Sequence, residues 1–110
     1  MRILVVGAGA IGFQLSKQLS QDGHGITLID SDHRRIKRVG EQLDILVKVG
    51  SGTSLQALQE IDISSIDLVA AMTTNDEVTL LSCRMAKELG VEATIARIRN
   101  PEFAQSDFIF

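Results

Sequence analysis

The chain has no tryptophan, no tyrosine, one cysteine and one proline among its 110 residues. A lone thiol, Cys83, excludes an internal disulfide framework and fits a reducing compartment. Without tryptophan or tyrosine, and with a formal net charge of −3, the chain lacks the stacking platforms and the basic footprint of a nucleic-acid binder. Long apolar runs are missing too. The longest, Leu68 to Met72, is five residues, far short of a membrane span, and no basic amphipathic stretch suits a membrane surface, so direct membrane insertion is not expected. Met1-Arg2 leads straight into an apolar run that reads as a strand, not as a secretory leader.

Groups that do chemistry are equally sparse. His24 falls in a turn before the second strand and His33 at the start of the second helix. Neither has Cys, His, Asp or Glu neighbours at ligand spacing, so both read as solvated histidines and no metal site is expected. Cys83 falls mid-helix between Val78 and Met85, where a small packing residue is the better reading than a nucleophile. No catalytic constellation emerges.

What is present is alternation. Short β-branched runs at Ile3 to Val6, Ile26 to Ile29, Ile45 to Val49, Leu68 to Met72 and Thr94 to Ile98 read as strands of a parallel sheet covered on both faces. Helical patterns lie between them. The first, about Ala10 to Ser20, carries Ile11, Leu15 and Leu19 as its inward stripe; the second, about Asp32 to Gln42, turns Ile36, Val39 and Leu43 inward. Capping boxes announce a short third helix at Thr53-Ser54-Leu55-Gln56, with Leu55 and Leu58 apolar. Another opens the fourth at Thr74-Asn75-Asp76-Glu77, with Val78, Leu81, Met85 and Leu89 apolar and a stop at Gly90. Asn100-Pro101 opens a fifth helix that reaches Phe110. The prediction is one domain spanning 1–110, an α/β, Rossmann-like doubly wound sheet of strand order 3-2-1-4-5. No residues are left for the usual sixth strand, so either the sheet stops at five, or the chain is a piece of something longer, or a partner completes the edge.

The site signal is at the first crossover. Gly7-Ala8-Gly9-Ala10-Ile11-Gly12 follows the first strand directly, and Asp30 closes the second strand 18 positions after Gly12. Strand, glycine turn, helix, strand and acid in that order form the dinucleotide-binding fingerprint. Gly7 allows a sharp turn, Gly9 leaves room for a pyrophosphate, and Gly12 lets the helix pack closely on the sheet. The helix N-terminus then faces the phosphates, and Asp30 accepts from the ribose hydroxyls, which favours NAD over NADP. The other strand ends line the same crevice: Gly50-Ser51-Gly52-Thr53 leaves space for an adenine edge, and Thr73 and Thr74 place hydroxyls near the loop. Arg97 and Arg99 alternate about Ile98, so one of them can face a ligand or partner. The basic run His33-Arg34-Arg35-Ile36-Lys37-Arg38 reads better as a solvated helix face than as a 2′-phosphate clamp, with an arginine there still able to stack on the adenine or touch a phosphate.

GAGAIG at 7–12, LIDSD at 28–32, VGSGTS at 49–54, AAMTTNDEVTLLSC at 70–83 and ARIRNPEF at 96–103 together carry a family likeness along essentially the whole chain. The sequence resembles the N-terminal nucleotide-binding subdomain of regulators of potassium conductance, the TrkA-N, KTN or RCK type. That resemblance implies a cytoplasmic protein that is not an enzyme. It implies assembly as a homo-oligomer, a dimer or higher ring, on the inner face of a membrane potassium transporter or channel, with NAD(H), ATP or ADP as gating ligands. By motif it implies binding positions at Gly7 to Ile11, Asp30, Thr73, Thr74 and Arg97. Ser51 departs from the usual Asp or Asn, and the family's sixth strand and C-terminal subdomain are absent, which implies a fragment or a gene encoding only this part. The apolar tail of Phe103, Phe108, Ile109 and Phe110 suggests a dimer contact. The alternative reading is the cofactor-binding half of an NAD-dependent oxidoreductase.

Overall fold

The computed structural model describes residues 1–104. Five parallel strands form one sheet in the expected order, β3-β2-β1-β4-β5: β1 (Arg2–Val6), β2 (Gly25–Asp30), β3 (Leu46–Val49), β4 (Leu68–Ala71) and β5 (Ala93–Ala96). Between them run α1 (Ala10–Gln21), α2 (His33–Gln42), α3 (Leu55–Glu60) with a 3-10 turn at Ile63–Ser65, and α4 (Asp76–Glu88). α5 is Pro101–Ala104; the expected continuation to Phe110 and the expected dimer contact of Phe108, Ile109 and Phe110 lie outside the described residues.

β1 is the centre of the sheet, with Val5 beside Leu28 on one side and Ala70 on the other. Its side chains alternate between two cores, as a strand's period of two requires. Ile3 and Val5 face α1 and α2, packing with Ile26, Leu28, Ile36 and Val39. Leu4 and Val6 face α3 and α4, packing with Leu58, Val69, Cys83 and Ala86. Both faces of this strand are sealed, so it reads as an unbroken apolar run.

The structure corrects several details. α1 turns Gly12 and Ser16 to the sheet, with Leu15 and Leu19 only half-buried and Ile11 46% exposed. The helix lies so close to the sheet that a glycine and a serine fill the contact line, and the larger side chains flank it. On α4 the buried residues are Asp76, Thr79, Leu80, Ser82, Cys83 and Ala86, whereas Leu81 is exposed. Leu55 is likewise exposed at the start of α3. The capping boxes are offset by one residue: Ser54 Oγ accepts from Ala57 N at 3.2 Å and Asn75 Oδ1 from Val78 N at 3.1 Å. Finally, β5 stops at Ala96, so Arg97 and Arg99 do not alternate within a strand.

A candidate nucleotide crevice

The carboxyl ends of β1, β2 and β4 open into a cleft of about 180 Å³ at the point where the strand order reverses. In a doubly wound sheet this is where ligands bind. The ladder bonds run right up to its edge. Gly7 N donates to Ile29 O at 2.9 Å, Met72 N to Val6 O at 2.7 Å and Gly50 N to Asp30 O at 2.9 Å. Three loops are thereby pinned around one opening.

Gly7 turns out of β1 with φ at +107°, and a Cβ there would stand 3.0 Å from Met72 O. Gly9 follows in extended conformation as the N-cap of α1 and contributes no side chain to it. The contrast with the neighbouring helices is informative. Asp32 caps α2, Ser54 caps α3 and Asn75 caps α4, each through a side-chain oxygen. The orphan N–H groups of α1 have no such side-chain partner among the described residues, and their partial positive charge is open to an anion. Gly12 sits directly behind the loop: a Cβ there would drive into the carbonyl oxygen of Gly7 and stand 2.9 Å from its carbon.

Asp30 faces the loop from the end of β2, its side chain 12% exposed. Its Oδ2 accepts from Ala8 N at 2.7 Å and its Oδ1 from Asp32 N at 2.8 Å. Each carboxylate oxygen has two lone pairs, so both retain capacity for ribose hydroxyls. Arg35, on the first turn of α2, brings its Nη1 to 3.9 Å from Asp30 Oδ2. Asp32 is held below the ordinary aspartate value by the N–H groups of Arg35 and Arg34 that it caps.

Of the residues singled out by sequence, Gly7, Gly9, Asp30, Ser51, Thr73 and Thr74 line the cleft. Ala8 shapes it through its bond to Asp30, and Ala10 borders an adjoining cleft. Ile11 is on the exposed side of α1. Two hydroxyls are already engaged in shaping their turns: Ser51 Oγ lies 2.7 Å from Thr53 Oγ1, and Thr73 Oγ1 donates to Asn75 O at 2.8 Å. Arg97 stands apart from the lining, its N–H donating to Ala71 O at 3.0 Å beyond the end of β5. His33 is exposed, and His24 lies beside the terminal amino group of Met1 at 3.2 Å, remote from the crevice.

Two residues join those. Arg35 lines the cleft from within the basic run, where the sequence left open an arginine that stacks on the adenine or touches a phosphate. Asp76, legible only as part of a capping pattern, is 8% exposed and accepts from Arg99 N at 3.0 Å and Asn100 N at 2.7 Å. It ties the segment after β5 to the first residue of α4, beside Thr74 and Asn75 of the crevice rim.

The chain matches the TrkA-N domain family over residues 3–106. It is 37% identical over 106 residues to a "Trk system potassium uptake protein TrkA homolog" from Methanothermobacter thermautotrophicus, covering 96% of this chain and 49% of the relative. The chain thus spans about half the length of that relative. Among solved structures, the NAD(P)-binding domain of an exopolyphosphatase-related protein from Archaeoglobus fulgidus superposes with a TM-score of 0.80 at 19% identity, covering 91% of this chain and 74% of that one. The AMP-bound Kef C-terminal domain from Shewanella denitrificans gives 0.71 at 16% identity, covering 86% and 57%. At these identities the two structures attest the shared Rossmann-like architecture. The extent of the family match settles the assignment: this chain belongs to the TrkA-N domain family.

Proposed function

We propose that this chain is a nucleotide-sensing regulatory domain that binds NAD(H), or ATP or ADP, in the crevice and controls a membrane potassium transporter or channel subunit. It does so from the cytoplasmic side, as a homo-oligomer peripheral to the inner face of the membrane. The observation that carries the reading is the pairing of an uncapped α1 N-terminus with the Asp30 carboxylate across one cleft. The first suits a pyrophosphate and the second suits a ribose, so an adenosine diphosphate moiety satisfies both. The name of the Methanothermobacter relative supports the potassium-uptake context, and the AMP in the Kef domain supports an adenine nucleotide.

Regulation requires only that the assembly have two states whose crevices bind a nucleotide unequally; equal affinity would shift nothing. NAD, NADH, ATP and ADP share the adenosine half and differ beyond it, at the rim formed by Thr74 and Asn75. Calorimetric titration of the four ligands, with a parallel assay of NADH oxidation, tests the proposal. The expected result is saturable binding without turnover, together with retention on membranes that contain the transporter. Oxidation of NADH with a candidate substrate would instead favour a dehydrogenase fragment.

A further inference from the structure

We propose that Arg35 is a specificity-determining residue of the crevice, reading the phosphate charge of the adenosine ligand. The inference rests on the nucleotide reading above and deepens it. Among the described residues that line the cleft, Arg35 is the one cation and Asp30 the one anion. Its Nη1 stands 3.9 Å from Asp30 Oδ2 and 3.9 Å from where a Cβ on Gly9 would lie. The guanidinium therefore occupies the margin between the acid that suits the ribose and the glycine whose bare backbone admits a phosphate.

Its own ion pairs leave it available. Nε is 4.0 Å from Asp32 Oδ2, both carboxylate contacts exceed hydrogen-bond distance, and the side chain is 49% exposed. Such a pair contributes little, whereas a phosphate offers the planar guanidinium two charged acceptors at once. Helix geometry singles out this position within the basic run. With Ile36 and Val39 buried, Arg35 lies at the edge of α2 nearest the glycine loop. Arg38, three residues on, lines an adjoining cleft of about 370 Å³ with Phe13, Gln14 and Gln42. Gly9 and Arg35 border both clefts, so the Arg35 side chain forms the partition between them.

The test compares adenosine, AMP, ADP and ATP on the wild-type chain, Arg35→Gln and Arg35→Lys, by calorimetry with adenosine measured through displacement. Arg35→Gln is expected to weaken ADP and ATP about tenfold or more while adenosine stays within about twofold. The salt dependence of ADP binding should flatten in the same variant. Arg35→Lys should restore part of the loss, since it returns the charge without the fork. Equal weakening of adenosine and ADP, or no weakening of ADP, would overturn the assignment while leaving the nucleotide reading intact. A wild-type chain that binds none of the four ligands would sink both.

Discussion

Gly12→Ala separates close packing from local helix preference. A Cβ at Gly12 would enter the Gly7 carbonyl oxygen and stand 2.9 Å from the carbonyl carbon, and both opposing atoms are backbone. No rotamer change relieves that overlap; α1 must move away from the loop by on the order of 1 Å, against a core in which Ser16 is fully buried. Overpacking of this kind costs about 1–3 kcal/mol, offset by roughly 0.5–1 kcal/mol of better helix propensity and lost unfolded-state freedom. Backbone opposition places the clash at the upper end, so the expected net loss is about 2 kcal/mol, a fall in Tm of roughly 8 °C for a chain of this size. Gly40→Ala is the internal control. It lies within α2, where a Cβ would meet only Val47 Cγ2 at 3.7 Å, an ordinary contact. That variant should gain up to about 1 kcal/mol. Urea unfolding followed by far-UV circular dichroism reads both. Because the same shift displaces Gly7 and Gly9, Gly12→Ala should also weaken ADP about tenfold or more. If Gly12→Ala is as stable as the parent and binds ADP equally, the close approach of α1 to the glycine turn is not what holds the loop.

Asp30→Ala should weaken ADP and NADH by roughly 1.5–3 kcal/mol in calorimetry, since charged hydrogen bonds to the ribose are lost and Ala8 N loses its acceptor; unchanged affinity would show that the ribose is placed wrongly. Asp76→Ala strands the N–H groups of Arg99 and Asn100 and should destabilise the chain by roughly 2–4 kcal/mol in urea, a loss under about 0.5 kcal/mol being inconsistent with a latch. Asp32 sits below the ordinary value of 3.8 because backbone N–H groups favour its charged form. Its contribution to α2 is therefore complete above that value and lost as pH falls through the lowered one, so Asp32→Asn should flatten the acid limb of the stability curve. Burial raises the Cys83 thiol, which is 1% exposed, so native protein should react with a thiol reagent only at the rate of opening; rapid modification would contradict the packing of α4.

Strand order was legible because each strand is a short apolar run separated by a helical pattern, and right-handed crossovers leave few alternatives. The turn out of β1 was legible for a similar reason: it needs backbone geometry that only particular residues adopt, as Gly7 does at φ +107°. Side-chain direction at close contacts was not. Ile11, Leu15 and Leu19 have a helix period, yet the helix approaches too closely for them, and Gly12 and Ser16 make the contact. Periodicity identifies a stripe without telling which edge of it touches the sheet. The fifth strand was expected to reach Ile98 as a β-branched run, whereas β5 ends at Ala96. In the structure the segment leaves the ladder after Arg97 N and is captured instead by Asp76, a long-range bond that no local pattern encodes. Within the basic run the sequence did not say which arginine would face the crevice. Four of the six residues from 33 to 38 are Arg or Lys, and with Ile36 and Val39 buried on α2 it is Arg35 that lines the cleft.

The most direct test of the central claim is an amide chemical-shift titration of the isotopically labelled chain with ADP. Saturable shifts are expected at Gly7, Gly9, Ala10, Ser31, Gly50 and Thr74, around the crevice at the carboxyl ends of the strands. An unperturbed spectrum at millimolar ADP, or shifts confined to the opposite end around Asp67, Gly90 and Glu92, would contradict it.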